Sequence, residues 1–439
     1  MSGFAQLKSL QKKLDQLIDS ASSVSFLALD EVRSPGDPIE PQDPKLAQIS
    51  ATLGQMIALV GGVRYVMTTA LQFHVSSCIR VAIEVHVEET LREAGKPLSS
   101  LEIAKSSCID PDKLARVLRL LAANHIFVEI EPGIFARNQR SSILDTGKSV
   151  RDILDDPNNT YAGTNGIAAL IAHSTEEIFK ASAFAPDALL EPRTSRSYSV
   201  PDAPFSLAYH GVDIWEHFAK NERLMKRFAS GMSGFSKICG EGESTLAGYP
   251  WKDLPEDSTL VDVGGGVGHL CLTIGAAVSH LNFIVEDREE VVKSAPEVWN
   301  KAATPDLQSR VKFQAQNFFE PQQVKDASVF VLRAILHDWP DSESIQILNH
   351  LRDAATPTTK LVVIESTYHE LSPPHSFPPI NIWPYISDLQ MLSALNAQER
   401  TEAQYESLGK KAGWKLVKTW KTGPQGSDGT WRHYEFNVV

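Results

Sequence analysis

The chain has 439 residues, longer than one ordinary domain, so two or three domains are expected. Hydrophobic residues make up 42% and charged residues 22%, the balance of a folded chain rather than a disordered one. A net charge of -12 argues against nucleic acid as the main partner, because phosphate binding needs clustered Lys and Arg, and the sequence shows no uninterrupted run of 18 apolar residues that would mark a membrane span.

Met1–Ser20 carries Leu7, Leu10, Leu14 and Leu17 at helical spacing among Lys and Gln. This predicts an amphipathic helix, not the apolar core of a signal peptide. The Pro-rich, acidic stretch Arg33–Pro44 reads as a linker. From about Ala47 to Leu144 the pattern is mostly helical, with a short helix opening over Pro97–Ala104. Asp110 then serves as N-cap and Pro111 as first residue of a helix whose apolar face is Leu114, Val117, Leu118 and Leu121. Phe127–Ile130 and Gly133–Ala136 are expected to be two short strands around a Glu-Pro-Gly turn. Helix, turn, helix and hairpin make a winged helix. Lys96–Asp145 holds seven Lys/Arg against six Asp/Glu, which lacks the basic excess of a DNA reader. The module is therefore expected to dimerise or to line a pocket.

Phe184–Phe205 is rich in Pro, Ser and Ala and reads as a long loop, and Gly211–Met232 returns to helical spacing. Gly248-Tyr249-Pro250 marks a boundary. Beyond it, strand-length apolar runs alternate with helical patterns: Thr259–Val263, Asn282–Val285, Val311–Gln314, Val329–Arg333 and Lys360–Glu365. Such alternation predicts βαβ units and a parallel sheet covered on both faces. Trp414–Thr422 and Thr430–Phe436, joined by Gly423–Gly429, predict a terminal antiparallel hairpin. The expected divisions are residues 1–45, an N-terminal helix and linker; 46–245, a mostly helical winged-helix domain; and 246–439, the sheet domain. The four cysteines, Cys78, Cys108, Cys239 and Cys271, form no CxxC pair, which points to neither a zinc site nor a disulfide framework and fits a reducing, cytoplasmic compartment.

The stretch Leu260–Leu270 carries the most chemistry. A β-branched strand runs into glycines at 264, 265, 266 and 268, followed by a helix. Glycine permits positive φ and close approach of a ligand, and the N–H groups of a helix start favour an anionic group. The dinucleotide pattern GxGxxG fails here, since its third glycine would fall at His269 or Cys271. The spacing present is GxGxG with Asp262 two residues before Gly264, the pattern of S-adenosylmethionine binding. Asp287 closes the second strand 23 residues after Gly264, close to the distance at which an acid holds ribose hydroxyls. Parallel strands ending in a hairpin fit the methyltransferase variant of the Rossmann-like α/β fold better than an all-parallel nicotinamide-binding sheet.

The sequence resembles the plant- and fungal-type small-molecule O-methyltransferases of the caffeic acid O-methyltransferase kind, over about Phe73 to the end. The resemblance rests on Leu114–Leu121, the glycine loop, Leu332–Asp341 with its His337-Asp338-Trp339, Leu361–Glu365, Asp388–Leu392 and Glu399-Arg400-Thr401. It implies a winged-helix dimerisation domain, a homodimer, and S-adenosylmethionine as cofactor with S-adenosylhomocysteine as product. It further implies that Gly264, Gly265 and Gly266 hold the methionine part, Asp287 the ribose, Asn317 and Phe318 the adenine, and that Arg333 lies near the cofactor. His337 is implied as base, flanked by Glu365 and Glu399, with Asp388 and Met391 toward the substrate. Asn317 departs from the Asp usual in the family, though an amide oxygen can still accept from the adenine amino group. No metal is called for. A magnesium-dependent catechol-type enzyme would be smaller and would lack the His-Asp-Trp block.

These residue types suit methyl transfer to a small aromatic hydroxyl. A phenol and a histidine differ by about 3.5 pH units in pKa, roughly 5 kcal/mol against proton transfer. Carboxylates beside His337 would stabilise its imidazolium and fix its tautomer. Two rivals remain, a pericyclase of the same fold that uses the cofactor only as a fixed positive charge and can replace the catalytic His, and a non-catalytic winged-helix regulator; His337, Glu365 and Glu399 together favour methyl transfer.

Overall fold

The computed structural model describes residues 3–21, 32, 34, 44–238, 241–367, 382–421 and 431–439. The linker expected over Arg33–Pro44 lies outside these residues except for Ser34 and Pro44, as does the turn Gly423–Gly429. The described residues form two compact units. One is drawn from Met1–Asp187 and Phe205–Cys239, the other from Ala188–Pro204, Gly240–Phe377 and Ile382–Val439.

In the first unit the amphipathic N-terminus is a helix over Gly3–Ser20 that meets the helix Pro44–Ala70. Asp110 accepts from the Lys113 N–H and caps the helix Pro111–Ala123, with Pro111 in the first turn where it has no N–H to waste. Leu114, Leu118 and Leu121 are buried on its inner face. The wing contains one strand more than the sequence suggests. β1 (Leu98–Ser99) pairs with β3 (Ile134–Ala136), which pairs with β2 (Val128–Glu131). Ser99 ends β1 and caps the helix Ser100–Ile103 through a reciprocal box with Glu102, so two residues of strand sit inside the stretch expected to be helical.

Two other expectations are corrected. Phe184–Phe205 is not one loop: it contains the helix Ala185–Leu190 and the one-turn helix Val200–Asp202, and the helix Pro204–Ala208 begins within it. Prolines at early helical positions start these short elements instead of preventing them. Against the expectation that no segment marks a membrane span stands Gln48–Ala70, 23 residues of mean hydropathy 1.3, long and apolar enough by composition to cross a bilayer. Gly, Thr and Gln interrupt the run without lowering the average below that level. The helix bends at Gly62 and leaves Ile57, Val60, Val63, Val66 and Met67 exposed.

The second unit is built on a seven-stranded sheet: β4 (Thr259–Val263), β5 (Asn282–Asp287), β6 (Val311–Ala315), β7 (Val329–Arg333), β8 (Lys360–Ser366), β9 (Trp414–Lys421) and β10 (Trp431–Val438). Its order is β6-β5-β4-β7-β8-β10-β9, and only β10 runs against its neighbours. Each of β4, β7 and β8 is almost wholly buried, which is why they read as nearly continuous apolar runs, broken inside β4 by Asp262. Alternate residues feed two cores: Val261, Val263, Phe330 and Leu332 on one face, Leu260, Val329, Val331 and Val362 on the other. The chain starts at β4, moves outward to β6, then returns to β7 on the opposite flank of β4. That reversal opens a crevice at the carboxyl ends of β4 and β7, where ligands bind in such sheets.

Candidate active site

Two turns leave the sheet at that crevice. The first follows β4. Gly264, Gly266 and Gly268 all have positive φ, and the helix His269–Ala277 starts at once. A Cβ on Gly264 would lie 2.6 Å from Ile335 Cδ1, and one on Gly265 would lie 2.5 Å from the carboxylate of Asp262. A Cβ on Gly266 would meet nothing within 4 Å, so the loop is closed beneath and open at that glycine. Asp262 is buried below the loop, where Cys271 Sγ lies 3.6 Å from its Oδ2, and it therefore supports the loop from underneath. His269 is exposed at the helix start.

Asp287 ends β5. Its Oδ2 accepts the Gly266 N–H at 2.8 Å and its Oδ1 the Arg288 N–H at 2.7 Å. Burial pushes its pKa up, against those two backbone donors. The remaining lone pairs of this partly exposed carboxylate suit hydroxyl donors. Asn317 follows β6, and its amide oxygen accepts the Phe319 N–H at 3.0 Å. Phe318 packs edge-on against Trp339, with centroids 5.9 Å apart, and Trp339 packs the same way on Phe319. A positive-φ cradle open on one side, a carboxylate bonded to its rim and an aromatic ring beside it fit a nucleoside that carries an amino-acid tail. Arg333 ends β7 with its guanidinium 5.5 Å from the ring centre of Trp431 on β10, toward the hairpin side of the sheet.

The second turn follows β7 and carries His337. Ala334 takes φ 53°, a left-handed conformation costly for a residue with a Cβ, and the chain then makes a single helical turn over Leu336–Asp338. Glu365 sits on β8, one residue beyond the Arg333–Ile364 pair. Its Oε1 accepts the N–H groups of Ile335 at 3.0 Å and Leu336 at 2.7 Å, with the His337 N–H at 3.4 Å. Its Oε2 lies 3.8 Å from His337 Nδ1 and has no hydrogen-bond partner among the described residues. Glu365 therefore holds the backbone of the turn as much as the ring.

Glu399 meets the ring directly, Oε1 to Nδ1 at 3.3 Å. On the other side of the imidazole, Nε2 lies 3.5 Å from Asp338 Oδ1. Burial alone would lower the His337 pKa, but Glu365, Asp338 and Glu399 outweigh it and hold the pKa well above the ordinary histidine value. Burial raises Glu365 to about 7 despite the attraction of His337, and also raises Asp338. Next to Glu399, Arg400 is fully buried. Its guanidinium donates to the carbonyls of Leu336 at 2.5 Å and Trp339 at 2.8 Å, and to Asp341 Oδ1 at 2.9 Å. Consecutive residues thus grip the ring and the backbone of one turn.

The helix Trp383–Leu395 brings Asp388 and Met391. Asp388 Oδ1 accepts the Glu399 N–H at 2.9 Å, and burial raises its pKa. Met391 is half-buried one turn on. A cavity of about 250 Å³ is lined by Asp388, Leu392, Asn396 and Glu399 together with Tyr198. Asn396 ties the upstream segment here, donating to the carbonyls of Ser197 and Ser199. Asp338, Ser387 and Arg400 also belong to this cluster, and the sequence alone does not mark their roles. Asp338 and Arg400 stood inside motifs, whereas the Ser387 Oγ contact to Glu399 leaves no local signal.

The model of the O-methyltransferase domain family matches residues 194–415, and that of the O-methyltransferase dimerisation domain matches residues 67–146. An O-methyltransferase of Armillaria gallica is 32% identical over 94% of this chain and 95% of its own length. The crystal structure of OxaC in complex with SAH and oxaline covers 100% of both chains at a TM-score of 0.76 and 20% identity. A solved enzyme of a pericyclic reaction covers 99% of this chain and all of its own at a TM-score of 0.72 and 19% identity, so the fold alone does not separate the two chemistries. By sequence, the chain belongs to the O-methyltransferase family and is an S-adenosylmethionine-dependent O-methyltransferase with that family's dimerisation domain.

Proposed function

We propose that the enzyme methylates a hydroxyl of a small aromatic metabolite, of phenol or polyketide type, with His337 as general base and without a metal. The observation that carries this reading is the His337 ring, held between Glu399 and Asp338 above Glu365, on the turn that packs against the glycine loop.

Gly264, Gly265 and Gly266 with Asp287 would hold the cofactor's amino-acid and ribose parts, and Asn317 with Phe318 its adenine. When bound, S-adenosylmethionine supplies an activated methyl group and a fixed positive charge. The chain's own contribution is to present and deprotonate the acceptor. His337 Nδ1–H donates to Glu399, which leaves Nε2 as the proton-accepting nitrogen. Asp338 beside Nε2 is the group an incoming hydroxyl must displace or share. Glu365 and Arg400 fix the turn, so the ring meets the acceptor in one orientation, and such positioning contributes roughly 7–11 kcal/mol in well-aligned reactions. Asp388 and Met391 are assigned to the substrate side of the helix Trp383–Leu395.

The winged-helix unit is assigned to homodimerisation, with its exposed apolar helix covered by a second copy. Nucleic acid and membrane are not assigned as partners, and a cytoplasmic location suits the chemistry.

Incubation with methyl-labelled S-adenosylmethionine and a panel of phenolic metabolites tests the reading. Mass spectrometry should find a product heavier by one methyl together with S-adenosylhomocysteine. Turnover of a substrate with no S-adenosylhomocysteine formed would favour the pericyclic alternative.

A further inference from the structure

Glu399 Oε1 is shared. It faces His337 Nδ1 at 3.3 Å and accepts a hydrogen bond from Ser387 Oγ at 2.8 Å. The other carboxylate oxygen, Oε2, is buried and without a hydrogen-bond partner among the described residues. The side chain is almost completely enclosed, so water does not compete for Oε1. Ser387 is half-buried on the helix Trp383–Leu395, and the next residue, Asp388, takes the backbone N–H of Glu399. Two adjacent residues of one helix therefore hold Glu399 at its backbone and at the oxygen that faces the ring.

We propose that Ser387 is a positioning residue of the catalytic site, its hydroxyl fixing the rotation of the Glu399 carboxylate and sharing the oxygen that faces His337. The physical basis is local. A carboxylate oxygen that already accepts a neutral donor is a weaker partner for a second one, and an enclosed carboxylate with one donor removed is free to turn about its last bond. Without the hydroxyl, Oε1 attracts the imidazolium more strongly and orients it less well. The ring should then keep its proton to higher pH while it lines up less often with an acceptor. The proposal rests on the reading of His337 as base.

The test compares Ser387→Ala with Ser387→Thr, which keeps the hydroxyl, in the full-length protein. Carbon-13 labelling at histidine Cε1, assigned with His337→Gln, follows the ring by NMR and needs no acceptor. In Ser387→Ala the His337 titration should move up by about half a pH unit or more. With the phenol methylated fastest in the panel, kcat should fall about 3- to 10-fold and its acid limb should move the same way. KM for the phenol and the calorimetric affinity for S-adenosylmethionine should stay within about 2-fold of wild type, and Ser387→Thr should restore both titration and kcat. If Ser387→Ala fails to fold, Ser387→Cys, a weak donor of similar volume, is expected to shift the titration in the same direction. An unmoved titration with unchanged kcat would overturn the proposal. A moved titration that the kcat profile ignores would support the role of Ser387 and overturn the assignment of His337 as base.

Discussion

His337 combines two requirements that pull apart. Three carboxylates hold its ring protonated well above the usual histidine range, yet a general base must be neutral when the acceptor arrives. For a group raised in this way the proton is retained below the folded pKa and lost as pH climbs through it, and a nearby positive charge moves that transition back down. The proposed function therefore expects a proton to leave the protein when the cationic cofactor binds. Calorimetry in two buffers of different ionisation enthalpy should show larger proton release with S-adenosylmethionine than with the uncharged-sulfur product, and equal release would remove this account of the base. The simpler variant, His337→Ala, should lower turnover at least about 10²-fold without weakening S-adenosylmethionine binding, since it removes the proton that the cofactor must expel. Wild-type-like turnover would rule the residue out. Arg400 shows how much structure serves this one side chain. Its buried guanidinium pairs with Asp341 and donates to two carbonyls of the His337 turn, where an apolar side chain would take a charged donor away from each.

At the scale of elements, the site is two turns and one helix brought to the end of β4, β7 and β8. The glycine loop is shaped from beneath: the Asp262 carboxylate fills the space a side chain at Gly265 would need, and Ile335 fills the space at Gly264. Gly265→Ala should therefore displace the loop or Asp262 and weaken S-adenosylmethionine binding at least about tenfold, measured by calorimetry. The fold should survive, because the clash involves one turn and the single side chain beneath it. Full affinity in that variant would mean the cofactor is not held by this loop. The β7 turn depends on a carboxylate acting as a cap: Glu365 satisfies the amides of a one-turn helix too short to satisfy its own. The same geometry leaves Oε2 without a hydrogen bond, a cost consistent with the raised pKa of Glu365.

At the scale of the whole molecule, the helix Pro44–Ala70 carries a run of exposed apolar side chains, with Val63 78% and Val60 68% exposed. Patches of this kind mark interfaces. If a second copy covers it, Val63→Asp should shift sedimentation from dimer toward monomer. A variant that stays dimeric would place the interface elsewhere. By itself the sequence determined whatever depends on near neighbours. Strands β4, β7 and β8, buried on both faces, read as nearly unbroken apolar runs. The caps at Asp110 and Pro111 are spelled locally, and the glycine spacing and the His-Asp-Trp block carry their chemistry in adjacent letters. Only the tertiary structure decided the rest. It set the strand order that places β7 beside β4, the division of labour by which Glu399 meets the His337 ring while Glu365 holds its backbone, and the grip of Ser387 and Arg400 on that cluster. It also left the apolar helix Pro44–Ala70 exposed, which periodicity does not distinguish from burial. The reason is physical: hydrophobic pattern and capping act within a few residues, whereas a carboxylate's partner is whichever donor the packed sheet brings within 3 Å or so, and no local rule specifies it.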